Sequence, residues 1–404
     1  MMSLFSNVCR CTTLNNSKRC IRFSEDIRSF QLKLPKRPIT TSNNVKIHAP
    51  AKSKRFLYSA MIGLGAGIAV GGYYSYTDIV DRGRPLKAPD SNNEKHFLKA
   101  LPDVEVSRRV VFDTDASGLK IILFQYPTCP FCCKVRAFLD YHGISYDVVE
   151  VNPVLRQQIK WSEYRKVPIV LIKVKDGYQQ LNDSSMIISA LGSYVKDNSY
   201  TDLMELVSYY PTIEYRDDEG NRKSDIMNKY FLMFKKDLGS PEKENAVLSE
   251  RKWRKWADSV LVHTLSPNVY RTMDESLESF NWFSEVGEWK RLFSWWEVSL
   301  VVYVGSFAMW MIGKRLQKKY NLKNDVRQSL YDECNVWVRE LAKRGTPFHG
   351  GQRPNLADLA VFGVLCSIEG CTAFKDLLAN TKIGGWYSRM KQACHEHQGS
   401  LHVV

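Results

Sequence analysis

The clearest periodicity begins at Ile121. The apolar run Ile121–Phe124 predicts a buried strand, and Val135, Phe138 and Leu139 then recur at helical spacing in a helix over 131–142 that ends near Gly143. Tyr146–Val151 predicts a second strand, broken by Asn152-Pro153, and a short helix over 154–160. Val167–Ile172 predicts a third strand opening with Pro168, and Gln179–Leu181 a short fourth. Asn182-Asp183-Ser184-Ser185 is a capping cluster ahead of Ile187, Ile188 and Leu191, so a further helix starts there. Arg216–Lys223 is charged, contains Gly220 and reads as a loop or insertion. Beyond residue 230 the pattern is helical throughout. Trp253, Trp256, Ala257, Val260 and Leu261 share one face, and Val326, Leu330, Cys334, Val338 and Leu341 share another that Gly345 stops. Asn355 and Asp358 form a capping box for a third helix. The fold class is therefore α/β followed by all-α.

Two longer apolar stretches ask for a different explanation. Phe56–Tyr76 carries no charge and is long enough to span a bilayer. Lys52, Lys54 and Arg55 flank it on one side, Tyr73, Tyr74 and Tyr76 suit the opposite interface, and Gly63, Gly67 and Gly71 make a smooth helix face. It is read as a membrane anchor. Val298–Ile312 lies between Glu297 and Lys314-Arg315, is short for a span, and is read as a buried core helix. The expected organisation is a basic leader over 1–55, the anchor over 56–76 and a proline-broken tether over 77–117. A thioredoxin-like domain follows over 118–200, then a linker over 201–232 and a helical domain over 233–404.

The 404-residue chain carries a net charge of +14, but the excess is uneven: before residue 56 the only acids are Glu25 and Asp26. That composition suits targeting. A nucleic-acid partner would call for a basic face interleaved with aromatics on a folded domain, and none is evident. Ten cysteines, irregularly spaced, are too few for a disulfide scaffold in a chain this long. Cys334 and Cys366 sit at apolar helical positions and are expected to be buried thiols.

Candidate chemistry centres on Cys129-Pro130-Phe131-Cys132, at the turn between the first strand and its helix. Unpaired N–H groups at a helix start stabilise a thiolate, and Lys134 and Arg136 add positive charge nearby. Cys129 is expected to be the exposed nucleophile and Cys132 the resolving thiol. Cys133, about 100° further round the helix, is expected to be buried. In this setting the motif reads as a thioredoxin-like redox or glutathione site. Zinc would need a second ligand pair, for which the nearest candidates are the distant Cys394, His395 and His397, so no metal is assigned.

Val167-Pro168 is expected to be a cis bond that leaves the Val167 backbone free to pair with the cysteinyl part of glutathione; the plainer reading is a proline starting a strand. Asp183 and Ser184 open a helix whose N-terminus can accept the γ-glutamyl carboxylate, with Asp183 facing the amine. Tyr126 either places a hydroxyl near a substrate oxygen or packs as an aromatic. His263 lies at the end of its helical pattern and reads as a cap or as a functional group.

Together these elements resemble the glutathione transferase-like superfamily and, within it, the membrane-associated prostaglandin E synthase type 2 family. The segments that carry the resemblance are KVRAFLD (134–140), VVEVNPV (148–154), YRKVPI (164–169), QQLNDSS (179–185), SPNVYRT (266–272) and GGQRPNLADLAVFGVL (350–365). The resemblance implies an isomerase that converts prostaglandin H2 to prostaglandin E2. Cys129 would be the catalytic thiol, with Cys132 and Tyr126 beside it, and Val167, Pro168, Asp183 and Ser184 would bind glutathione. It further implies haem held with glutathione in the cleft, bordered by His263 and Ser266, and a homodimer. Placement would be at Golgi or related endomembranes, a mitochondrial membrane being the alternative, with a processed soluble form. Pro127 in the approach to Cys129 and the extra thiol of Cys133 depart from the family pattern. Two other functions suit the residues: a glutaredoxin-like thiol–disulfide oxidoreductase using Cys129 and Cys132, and a non-catalytic haem- or glutathione-binding membrane protein.

Overall fold

Alternating aliphatic positions build a six-stranded sheet. In the computed structural model, which describes residues 96–196, 203–216, 222–233 and 240–400, the strands are β1 (Phe97–Leu98), β2 (Arg108–Val110), β3 (Ile121–Gln125), β4 (Tyr146–Glu150), β5 (Ile169–Val174) and β6 (Gly177–Asn182). Their order is β1-β6-β5-β3-β4-β2. Strands β3 and β4 are parallel and joined by α1 (Pro130–His142), whereas β5 runs antiparallel to both β3 and β6. Helix α2 (Ser184–Lys196) follows β6. Both faces of β3 are covered: Ile121 and Leu123 join the main core beneath the helices, while Ile122 and Phe124 pack with Val149, Ile159, Ile169 and Leu171 on the other side.

Three expectations change here. The segment expected to be a tether supplies both outer strands, Phe97–Leu98 pairing with β6 and Arg108–Val110 with β4, so that short chain pieces cover both sheet edges. The short helix after Asn152 shrinks to a 3₁₀ turn at Gln157–Ile159, because the Asn152 side chain accepts the N–H groups of Val154 and Leu155 and holds them in a turn. The linker region contains α3 (Leu203–Val207) and an antiparallel hairpin of β7 (Thr212–Arg216) and β8 (Arg222–Ile226), whose strands include both ends of the expected loop. The leader and the anchor over 56–76 lie outside the described residues.

The helical region comprises α4 (Pro241–Trp256), α5 (Val262–Val269), α6 (Met273–Val286), α7 (Trp289–Leu292), α8 (Trp295–Ser299), α9 (Ser306–Lys319), α10 (Val326–Arg344), α11 (Leu356–Cys366), α12 (Thr372–Asn380) and α13 (Gly384–His395). A π-turn at Ala257–Leu261 joins α4 to α5 without a break. The wider turn rotates the apolar face: Val260, placed inside by its spacing, is exposed, and Asp258 points inward with its side chain 14% exposed. The caps follow the sequence: Asn355 and Asp358 make the reciprocal capping box of α11, and Gly345 ends α10 at φ 66°.

The second apolar stretch departs most from expectation. It is not a buried core helix. It is part of a 25-residue helix, Trp295–Lys319, that joins α8 and α9 through a π-turn at Leu300–Gly305. Val298, Val301, Val302 and Ser306 pack inward, but Trp295, Tyr303, Val304 and Phe307 face out. The stretch holds more apolar residues than one contact face can bury. Among the described residues it is the one helix long and apolar enough to cross a membrane.

All described residues belong to one compact unit, and α1 packs directly on α11 within it. The crossing point is Gly363, where a Cβ would lie 2.5 Å from the Lys134 Cα and 2.6 Å from its nitrogen. The two helices therefore meet backbone to backbone, which only glycine permits. Gly363→Val is expected to lower stability by at least ~3 kcal/mol, the upper end of overpacking costs, since backbone cannot move aside like a side chain. The measurement is the urea midpoint at unchanged slope. A midpoint equal to that of the parent would mean the helices do not pack this closely.

Candidate active site

Cys129 is the N-cap of α1, in extended conformation (φ −76°, ψ 124°), with Pro130 as the first helical residue. Proline there gives up no hydrogen bond that the helix needs. Cys129 is half-buried, Cys132 and Cys133 are buried, and all three are free thiols. Their environments divide the chemistry. The Cys132 thiol donates to Cys129, and this holds the Cys129 pKa below the ordinary thiol range. Burial opposes the shift, but the N–H groups of Cys132 and Phe131 and the Arg136 guanidinium add to it. Burial pushes the Cys132 thiol well up, reinforced by its bond to Cys129. Cys129 is thus the more readily ionised of the two sulfurs, and Cys132 is held as the thiol.

Of the two cations suggested by the sequence, Arg136 serves the motif and Lys134 does not. Arg136 donates to the Pro127 carbonyl at 2.7 Å, to Cys133 Sγ at 3.2 Å and to Gln125 Oε1 at 2.9 Å. Gln125 is itself held by Glu150, which pairs with Arg108 at 2.8 Å, so a buried polar chain under the sheet aims the guanidinium. Cys133 is buried as expected and donates to the Pro127 carbonyl at 3.2 Å. Cys366 is only half-buried, contrary to its sequence reading, and contacts Cys133 across the helix crossing.

Lys134 turns to the opposite side. Its ammonium, 1% exposed, donates to Ser184 Oγ at 3.1 Å and Ser185 Oγ at 3.0 Å, and pairs with Asp258 at 2.5 Å. Asp258 also accepts from Ser185 Oγ at 2.5 Å and from the Tyr230 hydroxyl at 3.1 Å. Burial pushes the Asp258 carboxyl up, but the Lys134 charge and these hydrogen bonds outweigh burial and hold it below the usual range. Arg254, likewise buried, donates to the Ser185 carbonyl at 3.0 Å and to Ser189 Oγ at 2.7 Å. The start of α2 is thus locked to α1 on one side and to the helical region on the other.

The Val167-Pro168 bond is cis. Strand β5 begins only at Ile169, so the Val167 backbone stands just outside the ladder. Asp183 adopts the left-handed conformation (φ 68°), and its carboxylate accepts the N–H groups of Ser185 at 2.8 Å and Met186 at 3.3 Å, so it caps α2. Its other oxygen lies 3.9 Å from Lys229 Nζ. Tyr126 is half-buried among the aromatic and aliphatic side chains on the far side of the sheet. Burial raises its pKa and those of Tyr164 and Tyr270, and the charge on Cys129 adds to all three, so these phenols stay protonated.

A cavity of about 530 Å³ opens beside the motif, lined by Phe131, Asp183, Ser184, Tyr230, Asp258 and His263 among others. That volume suits a small organic ligand. His263 does not end a helix: it stands inside the continuous α4–α5 helix, stacked on Tyr320 at 4.0 Å, and it faces this cavity. Burial and the Lys319 charge lower its pKa. Ser266, one turn further on, is not part of the lining, so the two residues expected to border haem are not brought together there. Sequence reading missed Asp258, Tyr230, Tyr164 and Tyr270. No advance signal marked Asp258: its spacing sets it off the apolar face of the Trp253–Leu261 helix, and only the π-turn brings it inward.

Comparison with known proteins agrees with this arrangement. The glutaredoxin family model matches residues 121–175, which cover β3, α1, β4 and β5 with the Cys129 motif among them. Prostaglandin E synthase 2 of Mus musculus is 47% identical over 290 residues, covering 71% of this chain and 74% of that protein. Its counterpart in Danio rerio is 49% identical over 284 residues, covering 70% and 72%. The chain belongs to the prostaglandin E synthase 2 family. A solved structure of glutathione S-transferase III in apo form covers 69% of this chain and 95% of its own, at 14% identity and TM-score 0.37. The thioredoxin-like architecture followed by a helical region rests on the strand order above and on the glutaredoxin match.

Two measurements test the site. Alkylation of Cys129 should show a pH midpoint below the ordinary ~8.5 of a free thiol, and Cys132→Ala should move it upward by removing the largest stabilising hydrogen bond; an unmoved midpoint would refute that pairing. Asp258→Leu, which leaves Lys134 buried and uncompensated, should cost ~3–5 kcal/mol in denaturant unfolding, and Lys134→Met in the same chain should restore much of it. Because the folded Asp258 pKa lies below the unfolded ~3.9, its contribution is complete above that pH. It is lost as pH falls through the lower folded value. The gap between parent and double variant should therefore be constant above pH ~4 and change only below it.

Proposed function

We propose that the protein is a prostaglandin E synthase, an isomerase that converts prostaglandin H2 to prostaglandin E2 through the Cys129 thiolate. One observation carries the assignment: Cys129 stands as the N-cap of α1, where the Cys132 thiol, the helix N–H groups and Arg136 lower its pKa while Cys132 stays protonated. The endoperoxide O–O bond is weak. The thiolate attacks one oxygen, the S–O bond forms, and the other oxygen leaves as an alkoxide that takes a proton from a neighbouring donor. That donor, now deprotonated, takes the C–H proton from the carbon bearing the sulfur-bound oxygen, which forms the ketone, breaks the S–O bond, returns the electron pair to Cys129 and restores the donor. Nothing is oxidised or reduced overall. The phenols of Tyr126, Tyr164 and Tyr270, held in their protonated form, supply hydrogen bonds to the oxygens of this sequence.

Glutathione belongs to the same reading. The free Val167 backbone beside Pro168 suits its cysteinyl part, and Ser184 at the start of a 13-residue helix suits its γ-glutamyl carboxylate, with Asp183 for the amine. Haem fits less well, because Ser266 stands away from the cavity that His263 lines, and no step is routed through it. Attachment to a membrane through residues 56–76, at Golgi or related endomembranes, and assembly as a homodimer complete the proposal.

The second reading is a dithiol oxidoreductase, favoured by the direct contact between Cys129 and Cys132. Isomerisation needs one thiolate, whereas dithiol exchange needs both sulfurs. Cys129→Ser should abolish formation of prostaglandin E2, and Cys132→Ser should retain more than about a tenth of it, the loss reflecting only a weaker thiolate. If Cys132→Ser abolishes turnover while the parent reduces mixed disulfides with glutathione, the oxidoreductase reading replaces the isomerase.

A further inference from the structure

The apolar outer face of Trp295–Lys319 is not used by the site or the core. Trp295 is 81% exposed, Tyr303 65% and Phe307 50%, and Leu300, Val304 and Met311 continue the stripe at helical spacing. At 1.5 Å per residue the helix is about 37 Å long. Its inner face is spent on protein: Val301 and Val302 are buried, Gly305 lies against the Phe280 ring, and Gly313 against Tyr270. A helix packed along one side cannot be surrounded by lipid, so it does not span.

The charges around the stripe are mostly positive. No Asp or Glu occurs from Val298 to Asn324, while Lys314, Arg315, Lys318, Lys319 and Lys323 crowd the C-terminal end. Lys290 lies before the stripe, while Arg291 there pairs with Glu288 and Lys323 pairs with Asp332, which leaves Lys314, Arg315, Lys318 and Lys319 as the main cationic cluster. Glu297, at its N-terminal end, is engaged in the Ser294 capping box and accepts from Asn152 at 3.0 Å. A second copy of this chain would bring the same cations against one another. An anionic bilayer surface complements them, and Trp and Tyr side chains are suited to the interfacial zone.

We infer that Trp295–Lys319 lies in the plane of an anionic membrane, with Trp295, Tyr303, Val304 and Phe307 in the headgroup–acyl boundary and the lysine cluster on the phosphates. This rests on the exposed face and is independent of the anchor proposed at 56–76. It would hold the α5–α6 side of the helical region against the bilayer from which an apolar substrate arrives.

The test uses the full chain with p-benzoylphenylalanine placed at Val304, or at exposed Gln328 as control, in phosphatidylcholine vesicles with and without phosphatidylserine. After flotation and irradiation, the expected result is an acyl-chain adduct at Val304 and not at Gln328. Lys318→Glu with Lys319→Glu should cut its yield in phosphatidylserine vesicles by roughly tenfold or more. Flotation of the chain without a lipid adduct at Val304 would overturn the inference and leave the 56–76 anchor standing. A cross-link from Val304 to a second copy would overturn it in favour of a dimer face. An adduct at Val304 that persists after residues 1–76 are removed from the chain would establish it without the anchor.

Discussion

The buried ammonium of Lys134 is the interaction on which the arrangement of the site depends. It comes from α1, immediately after the three clustered cysteines, and reaches across the start of α2 to Asp258 in the helical region. Two charges taken out of water repay their desolvation only when every remaining hydrogen bond is made. Here Ser184, Ser185 and Tyr230 make them. Such a pair adds little net stability over an apolar equivalent, but it tolerates only one relative placement of the three elements. The backbone contact at Gly363 fixes the same placement from the other side of α1.

Thiol reactivity follows from that placement. Three cysteines of identical chemistry within the N-cap and first turn of α1 end in three different environments because of where the helix begins and what lies under it. Cys129 takes the helix N-terminus and the Cys132 hydrogen bond; Cys132 takes the desolvation; Cys133 takes Arg136 and the Pro127 carbonyl. The polar chain Arg108–Glu150–Gln125–Arg136 runs beneath an otherwise aliphatic sheet, and its effect is to hold one guanidinium near one sulfur.

The helical region shows how a single extra residue in a turn redirects function. The π-turn at Ala257–Leu261 swings Asp258 inward and Val260 outward, and without it the partner of Lys134 would face solvent. The segment between α5 and α10 follows a different logic. Its long helix carries apolar residues on two sides, and the molecule covers only one of them.

The sequence alone determined the strands and helices whose patterns are local. Ile121–Phe124, the α1 face of Val135, Phe138 and Leu139, the capping box at Asn355 and the stop at Gly345 were all legible, because periodicity and capping act within a few residues. Cys129, Pro168 and Asp183 were legible for the same reason, each marking a turn or a helix start. What only the tertiary structure decided lies at long range. Lys134 and Arg136 are two residues apart and equally basic, yet one closes a buried pair 124 residues away and the other faces the thiols. Tyr164 and Tyr270 approach Cys129 from segments with no local signal. The outward face of Trp295–Lys319 was hidden for a related reason: hydropathy counts apolar residues but cannot say how many of them find a neighbour.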